Sequence, residues 1–336
     1  MSVLKIDLTY QCTCSCAHCR FRSSQSPSPV IDVDLAAKCM HDLVETNNLG
    51  MVVLLGGEPS IYRREMLAVL SEASSLGLST RLETNACWAI DYENAVDFLK
   101  PIVELRTQVA VSLDHFHSVY IPLTNIVTAI RACEDLGVDC WVDITYLDNE
   151  KRDQPEDLHT KELVKEAEQM LGHPILKRYE GPVFFTGRST DKLAKRMAVG
   201  RGIPADPCTK VPWWNNGYLD TADLLNLDPE GYLSKGCGIA FGNVRERSAR
   251  EIIRNFNPFE HPILSVLLKR GPLGLAEEAA EFGFRLGSDY ADRCHLCQEA
   301  REYLRSRYPE RLVPSNHYRE TDVKSNTYVY PDSDSS

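Results

Sequence analysis

Between residues 3 and 183 the chain alternates short apolar runs with amphipathic stretches six times, in units of about 30 residues. Strands are expected over 3–8, 51–55, 80–83, 109–113, 140–147 and 175–183. Helices are expected over about 33–46, 66–76, 92–105, 123–136 and 161–171. In the first of these helices Leu35, Cys39, Met40 and Leu43 recur at helical spacing. Repeated strand-helix units of this length make each strand parallel to the last and put the helices outside the sheet. An open α/β sheet and a barrel both satisfy the pattern. After Gly187-Arg188 the rhythm changes. Residues 224–227 and 232–234 flank Asp228-Pro229-Glu230-Gly231, whose Pro and Gly suit the turn of a β-hairpin. Short helices near 248–256, 262–269 and 275–282 precede a last helix that Cys294 opens and that runs to about 308. Three segments result, 1–188, 189–311 and a Ser-, Asp- and Tyr-rich stretch, 312–336, expected to be a flexible tail.

A chain of 336 residues has ample material for a large core. Its net charge of -11 argues against a nucleic-acid partner and against docking to an anionic membrane, because both require basic surface and no dense Lys/Arg run occurs. The first nine residues are too short for a signal peptide, and no apolar run approaches the ~20 residues of a membrane span. A cytoplasmic location is the expectation. In that compartment the 12 cysteines are ligands, core residues or catalytic groups rather than disulfides.

Four of the thiols fall within residues 12–19, directly after the first strand. Thiolates this dense suit a soft metal or an iron–sulfur cluster, and closely spaced ligands cost little loop entropy to gather. Structural zinc prefers cysteine pairs that return elsewhere as a second pair. Here Cys12, Cys16 and Cys19 form a single C-x3-C-x2-C loop, three ligands with a fourth position open, and Cys14 is spare. The spacing resembles that of the radical S-adenosylmethionine (SAM) enzymes. That resemblance implies a partial (β/α)6 barrel over 1–188, with the cysteines binding three irons of a [4Fe–4S] cluster and SAM chelating the fourth. His18 stands where the family usually has an aromatic residue against the adenine.

Further motifs occur in the family's order. Gly56-Gly57-Glu58-Pro59 closes the second strand and resembles the family's Gly-Gly-Glu segment, which binds the amino group of SAM. Read alone it is an ordinary turn. Thr84-Asn85-Ala86 resembles the Thr-Asn-Gly segment, with Ala86 replacing the glycine and Asn85 implied at SAM. On the fourth strand period-two alternation puts Ala110, Ser112 and Asp114 on one face. The resemblance implies Ser112 and Asp114 around the SAM ribose and carboxylate. Trp141, Asp143 and Thr145 share a face of the fifth strand. His115 and His117 are read as helix-capping or carboxylate-paired residues. Cys87 is either a catalytic thiol at the barrel mouth or a small buried side chain.

Cys208, Cys237, Cys294 and Cys297 are four more thiols in a short region, enough for a zinc tetrahedron or a fully ligated [4Fe–4S] cluster. With the Asp-Pro-x-Gly turn before Cys237, they resemble the twitch, or shortened SPASM, region that holds an auxiliary [4Fe–4S] cluster. A small C-terminal α+β auxiliary-cluster domain over 189–311 is therefore implied. Cys237 is a ligand of that cluster or a hydrogen donor to a substrate radical. Cys39, Cys133 and Cys140 are read as packing residues.

The implied activity is reductive cleavage of SAM to a 5′-deoxyadenosyl radical that abstracts hydrogen from a substrate. An external electron donor such as flavodoxin or ferredoxin is implied with it. Similarity to the peptide epimerase and maturase branch points to a ribosomally made peptide, undergoing epimerisation, dehydrogenation or ring formation. The alternatives are a small molecule such as a sugar or aminocyclitol, or a non-catalytic zinc-stabilised binding protein.

Overall fold

Six parallel strands, β1 (Ser2–Asp7), β2 (Leu49–Leu55), β3 (Ser79–Thr84), β4 (Gln108–Ser112), β5 (Cys140–Tyr146) and β6 (Arg178–Pro182), pair in chain order. They belong to a computed structural model that describes residues 1–209 and 218–319. The helices that return the chain between them are α1 (Val33–Asn47), α2 (Arg63–Ser75), α3 (Tyr92–Glu104), α4 (His115–Ser118), α5 (Leu123–Leu136) and α6 (Pro155–Leu171). Asp32 and Asp91 start α1 and α3 by accepting from backbone N–H groups of the first turn. Leu4 and Ile6 of β1, with Leu54 of β2, are fully buried against the inner faces of α1 and α2, notably Met40, Leu43 and Met66. Helix α6 begins six residues earlier than expected, because Pro155 occupies its first position, where a missing N–H costs nothing.

The sheet does not close into a barrel among the described residues. It continues past its first strand in the order β6-β5-β4-β3-β2-β1-β7-β8-β9, where β7 is Leu224–Leu227, β8 Tyr232–Ser234 and β9 Ala240–Asn243. β7 lies parallel to β1, with Val3 opposite Leu224 and Ile6 opposite Leu227. β8 and β9 then follow antiparallel as the expected hairpin and one further strand. The boundary expected at residue 188 thus does not divide the sheet. All four residues of β7 are buried, and the edge of β1 supplies the ladder they need.

The C-terminal part adds α7 (Lys195–Ala198), α8 (Ala249–Arg254), α9 (Leu264–Ala280) and α10 (Arg293–Leu304). The two helices expected over 262–269 and 275–282 are both present within α9, joined end to end at Gly271, whose φ of 66° and ψ of -168° break the helix between them. Described residues 312–319 differ from the expected tail; residues 320–336 lie outside the described residues. Leu312 is fully buried and Tyr318 nearly so, its hydroxyl donating to the Gly238 carbonyl. Apolar side chains at 312, 313 and 318 make burial favourable despite the polar composition of the rest of this segment. No helix among the described residues is long and apolar enough to cross a membrane.

Leu312→Ala tests this packing. Deleting a fully buried leucine side chain should lower unfolding free energy by about 2–5 kcal/mol in a denaturant titration, and a loss near zero would place 312–319 outside the folded body.

Candidate active site

A cavity of about 260 Å³ opens where β2, β3, β4 and β6 end, and the segment that follows β1 crosses it. Cys12, Cys14, Cys16 and Cys19 all face it. This segment has no regular secondary structure, so its backbone must be satisfied by neighbours. The Cys12 N–H donates to the Ser24 carbonyl at 2.7 Å, while the carbonyls of Thr9 and Gln11 accept from Gly57 and Glu58 at 2.6 and 2.9 Å. That contact explains the glycine pair. A Cβ on Gly57 would stand 2.0 Å from the Gln11 oxygen, and one on Gly56, at φ 137°, 2.4 Å from that of Thr9. The close backbone approach expected at this turn is therefore first to the chain's own cysteine loop. Gly56 and Gly57 also border the cavity.

Glu58 and Pro59 take different positions from those expected. Pro59 is buried at the start of a short 3₁₀ turn, and Glu58 is completely buried. One Glu58 carboxylate oxygen accepts from Ser60 N–H at 3.1 Å and Thr84 Oγ1 at 2.8 Å, and the other from Asn85 N–H at 2.8 Å. Burial raises its pKa, partly offset by these bonds. Its carboxylate braces the end of β3 instead of facing the cavity. Asn85, so held, borders the cavity and donates through Nδ2 to Thr13 Oγ1 at 3.0 Å and to the sulfurs of Cys14 and Cys12 at 3.3 and 3.7 Å. Ala86 adopts φ 60°, the left-handed conformation that the glycine of the resembled motif takes freely.

Ser112 faces the cavity, but Asp114 does not. Asp114 caps α4, accepting from the His117 backbone at 3.0 Å and from His117 Nδ1 at 2.9 and 3.0 Å. Burial pushes its carboxyl up, but the His117 charge and hydrogen bonds outweigh this and hold it at about 2. Asp114 thus orients His117, which reaches the cavity in its place. His18 stacks on Phe116 at 4.6 Å and meets His117 edge-on at 4.9 Å. Burial lowers its pKa to about 4, so it is a neutral flat ring, and its Nδ1 lacks a partner. Asp143 and Thr145 of β5 border the cavity, whereas Trp141 lies beneath an Arg81 guanidinium. Cys87 is not at the cavity. Its sulfur sits 3.5 Å from Ser60 Oγ, and burial pushes its thiol up to about 11.

Sequence reading missed the residues that close the site from the far end of the sheet. Arg188 donates from its backbone to the Cys19 carbonyl at 2.9 Å, from Nη1 to the Cys16 carbonyl at 2.9 Å and from Nη2 to the Ser23 carbonyl at 2.6 Å. Gly187 lies so close that a Cβ would sit 2.1 Å from the Arg20 oxygen. The Gly-Arg pair after the sixth strand was the available signal, but contacts to a loop 165–172 residues away leave no spacing pattern. Also missed, apart from Asp143, was the charged floor. Lys5 and Glu83 are 4.0 Å apart, and Arg81 holds Asp143 at 2.8 Å. Burial pushes the Asp143 carboxyl up to about 6 despite Arg81, and likewise Asp7, which accepts from Asn226 of β7.

The second set of thiols converges away from this cavity. Cys208 is tied to α9 by its N–H to the Leu267 carbonyl, Cys237 follows β8, and Cys294 and Cys297 begin α10. Burial raises the thiol pKa of Cys208, to about 12, and of Cys237 and Cys294; all three are also close enough to Cys297 for its charge to raise theirs. Beside them lies Arg301, buried with only neutral hydrogen-bond acceptors. A buried cation of this kind fits an anionic group held by the thiols.

Residues 6–161 match the family described as the Radical SAM superfamily. Among solved structures, a hexahistidine-tagged anSMEcpe with bound AdoMet is similar with a TM-score of 0.51 and 13% identity, over 91% of this chain and 97% of that one. Native anSMEcpe with bound AdoMet and Cp18Cys peptide has a TM-score of 0.50 and 12% identity over the same shares. BtrN in complex with AdoMet and 2-DOIA has a TM-score of 0.42 and 15% identity, over 76% of this chain and 82% of that one. No curated protein sequence matches.

Two substitutions test the architecture. Gly57→Ala should displace the cysteine loop and sharply lower the iron bound after anaerobic reconstitution, while the far-ultraviolet circular dichroism stays unchanged; full iron content would show that the loop tolerates the methyl group. Glu58→Ala leaves the buried donors of Thr84 and Asn85 unsatisfied and should cost about 2–4 kcal/mol of stability. A stability unchanged in urea titration would return Glu58 to a role in ligand binding alone.

Proposed function

Because residues 6–161 belong to the radical SAM superfamily, we propose that this chain is a radical SAM enzyme in which Cys12, Cys16 and Cys19 hold a [4Fe–4S] cluster with one iron open to SAM. The observation that carries this reading is that all three thiols border one cavity together with Gly56, Gly57 and Asn85. The donor set fits. Three thiols on one loop, with Asn85 donating to the sulfurs of Cys12 and Cys14, suit the thiolate–iron bonds of such a cluster. Bound there, the cluster and SAM would supply an electron and a 5′-deoxyadenosyl radical able to take hydrogen from an unactivated carbon.

The chain's own residues position these groups. Asn85 donates to the sulfurs of Cys12 and Cys14, and Arg188 with Gly57 keeps the loop backbone in register. His18, neutral and stacked on Phe116, offers a flat wall for an adenine ring. Ser112 offers a hydroxyl for the polar parts of SAM. Lys5, Glu83 and Asp143 face the same cavity, and in this reading they hold the polar part of the substrate.

Cys208, Cys237, Cys294 and Cys297 hold an auxiliary [4Fe–4S] cluster in this reading, with Cys237 as a ligand. Its role is to exchange an electron with the substrate radical. The substrate we favour is a peptide. Support comes from the order of parallel strand-helix sheet, hairpin and late Cys-x-x-Cys helix, a layout whose fold is similar to that of anSMEcpe, a protein described with a bound peptide. A flavodoxin or ferredoxin would supply the electrons.

Anaerobic preparation should yield a brown protein with about eight irons per chain that forms 5′-deoxyadenosine from SAM and dithionite. Replacing Cys12, Cys16 and Cys19 together by Ala should abolish that product, and Cys14→Ala should leave it. Persistent cleavage in the triple variant would sink the assignment.

A further inference from the structure

Resting on the reading that Cys208, Cys237, Cys294 and Cys297 hold an auxiliary cluster, we propose that Arg301 is its positioning residue and the fixed positive charge that sets its reduction potential. Arg301 lies on α10 four residues after Cys297, on the same helix face, and is 1% exposed. Its guanidinium is spread over the segments that carry the thiols. Nε donates to the Cys297 carbonyl at 3.3 Å, and Nη1 to the Cys237 carbonyl and, at 2.8 Å, to the Tyr318 hydroxyl. Nη2 donates to Gln298 Oε1 at 3.0 Å.

All of these acceptors are uncharged. The adjacent carboxylate, Glu302, is engaged elsewhere, with Arg22 and Arg319. A guanidinium taken out of water without a counter-charge is costly, so such a residue persists where another negative charge lies close. A [4Fe–4S] cluster bound by four thiolates is anionic and gains one negative charge on reduction. A cation fixed beside it in a low-dielectric interior therefore favours the reduced form and raises the potential. The same fork ties the turn bearing Cys237 to the helix bearing Cys297. Tyr318 completes the clamp by donating to the Gly238 carbonyl.

The test is an anaerobic, EPR-monitored redox titration of the full chain with both clusters reconstituted, in wild type, Arg301→Gln and Arg301→Lys. Added SAM changes the signal of the cluster with the open iron and so separates it from the auxiliary signal. With about eight irons retained, Arg301→Gln should move the auxiliary midpoint to a more negative value, by at least tenfold in the reduced-to-oxidised ratio (about 59 mV for one electron). Arg301→Lys, which keeps the charge, should stay within about threefold of wild type on the same scale. An unchanged midpoint in an eight-iron Arg301→Gln protein overturns the inference. Should Arg301→Gln not retain the second cluster, Arg301→Lys decides: a near-wild-type midpoint supports the charge, and a tenfold shift overturns it. A wild-type protein with about four irons would instead remove the auxiliary cluster itself, an outcome distinct from failure of the Arg301 assignment.

Discussion

The cysteine segment after β1 carries no helix or ladder of its own, and its shape depends on backbone contacts from strand ends that are distant in sequence. Gly57 and Glu58 after β2 donate to Thr9 and Gln11, and Arg188 after β6 donates to Cys16 and Cys19. The close approach at Gly57 leaves no room for a Cβ, and the reach of the Arg188 guanidinium needs a long side chain. A loop held at several carbonyls presents its thiols in one arrangement. The adjoining glycine and arginine positions are thus part of the site as much as the thiols they hold.

Charge is distributed on the same principle. The floor of the cavity carries Lys5 of β1, Glu83 of β3 and Asp143 of β5, with Arg81 of β3 paired to Asp143, so that charges of opposite sign meet between alternate strands of the sheet. Pairing offsets part of the desolvation penalty that a lone charge would carry at this depth and leaves strong local fields. In the proposed reading such a floor would orient polar substrate groups, the contribution expected of a protein whose cofactor performs the difficult bond cleavage. Where a carboxylate was expected to reach the ligand, at Glu58 and Asp114, it instead braces the residue that does reach the cavity, Asn85 or His117. The arrangement separates contact from support, and a rigid supporting layer keeps the contacting side chain in a single rotamer.

The C-terminal third is joined to the sheet instead of being set apart from it. β7 completes the ladder of β1, and Asn226 on β7 donates to Asp7 on β1. The thiols of the second set come from a loop packed on α9, a turn after β8 and the first turn of α10, and Arg301 with Tyr318 draws the last two together. Residues 312–319, which close this region, belong to a stretch whose composition reads as a tail; Leu312, Val313 and Tyr318 found a surface that the local sequence does not reveal.

Local features were legible in the chain alone: strand and helix positions set by hydrophobic period, the parallel order forced by repeated units, and the Cys-x3-Cys-x2-Cys spacing. Signals of this kind survive because period, capping residue and ligand spacing act within a few residues of one another. The thiols of Cys12, Cys16 and Cys19, with Gly56, Gly57, Asn85, Ser112 and His18, do meet at one cavity. It took the folded chain to decide which carboxylates face that cavity, that Cys87 does not, that β7 extends the first sheet and that Arg188 and Arg301 clamp the two thiol sets. These outcomes depend on which groups must satisfy one another's hydrogen bonds and charge, for the two arginines across 64 and 172 residues, and no spacing rule in the chain encodes that.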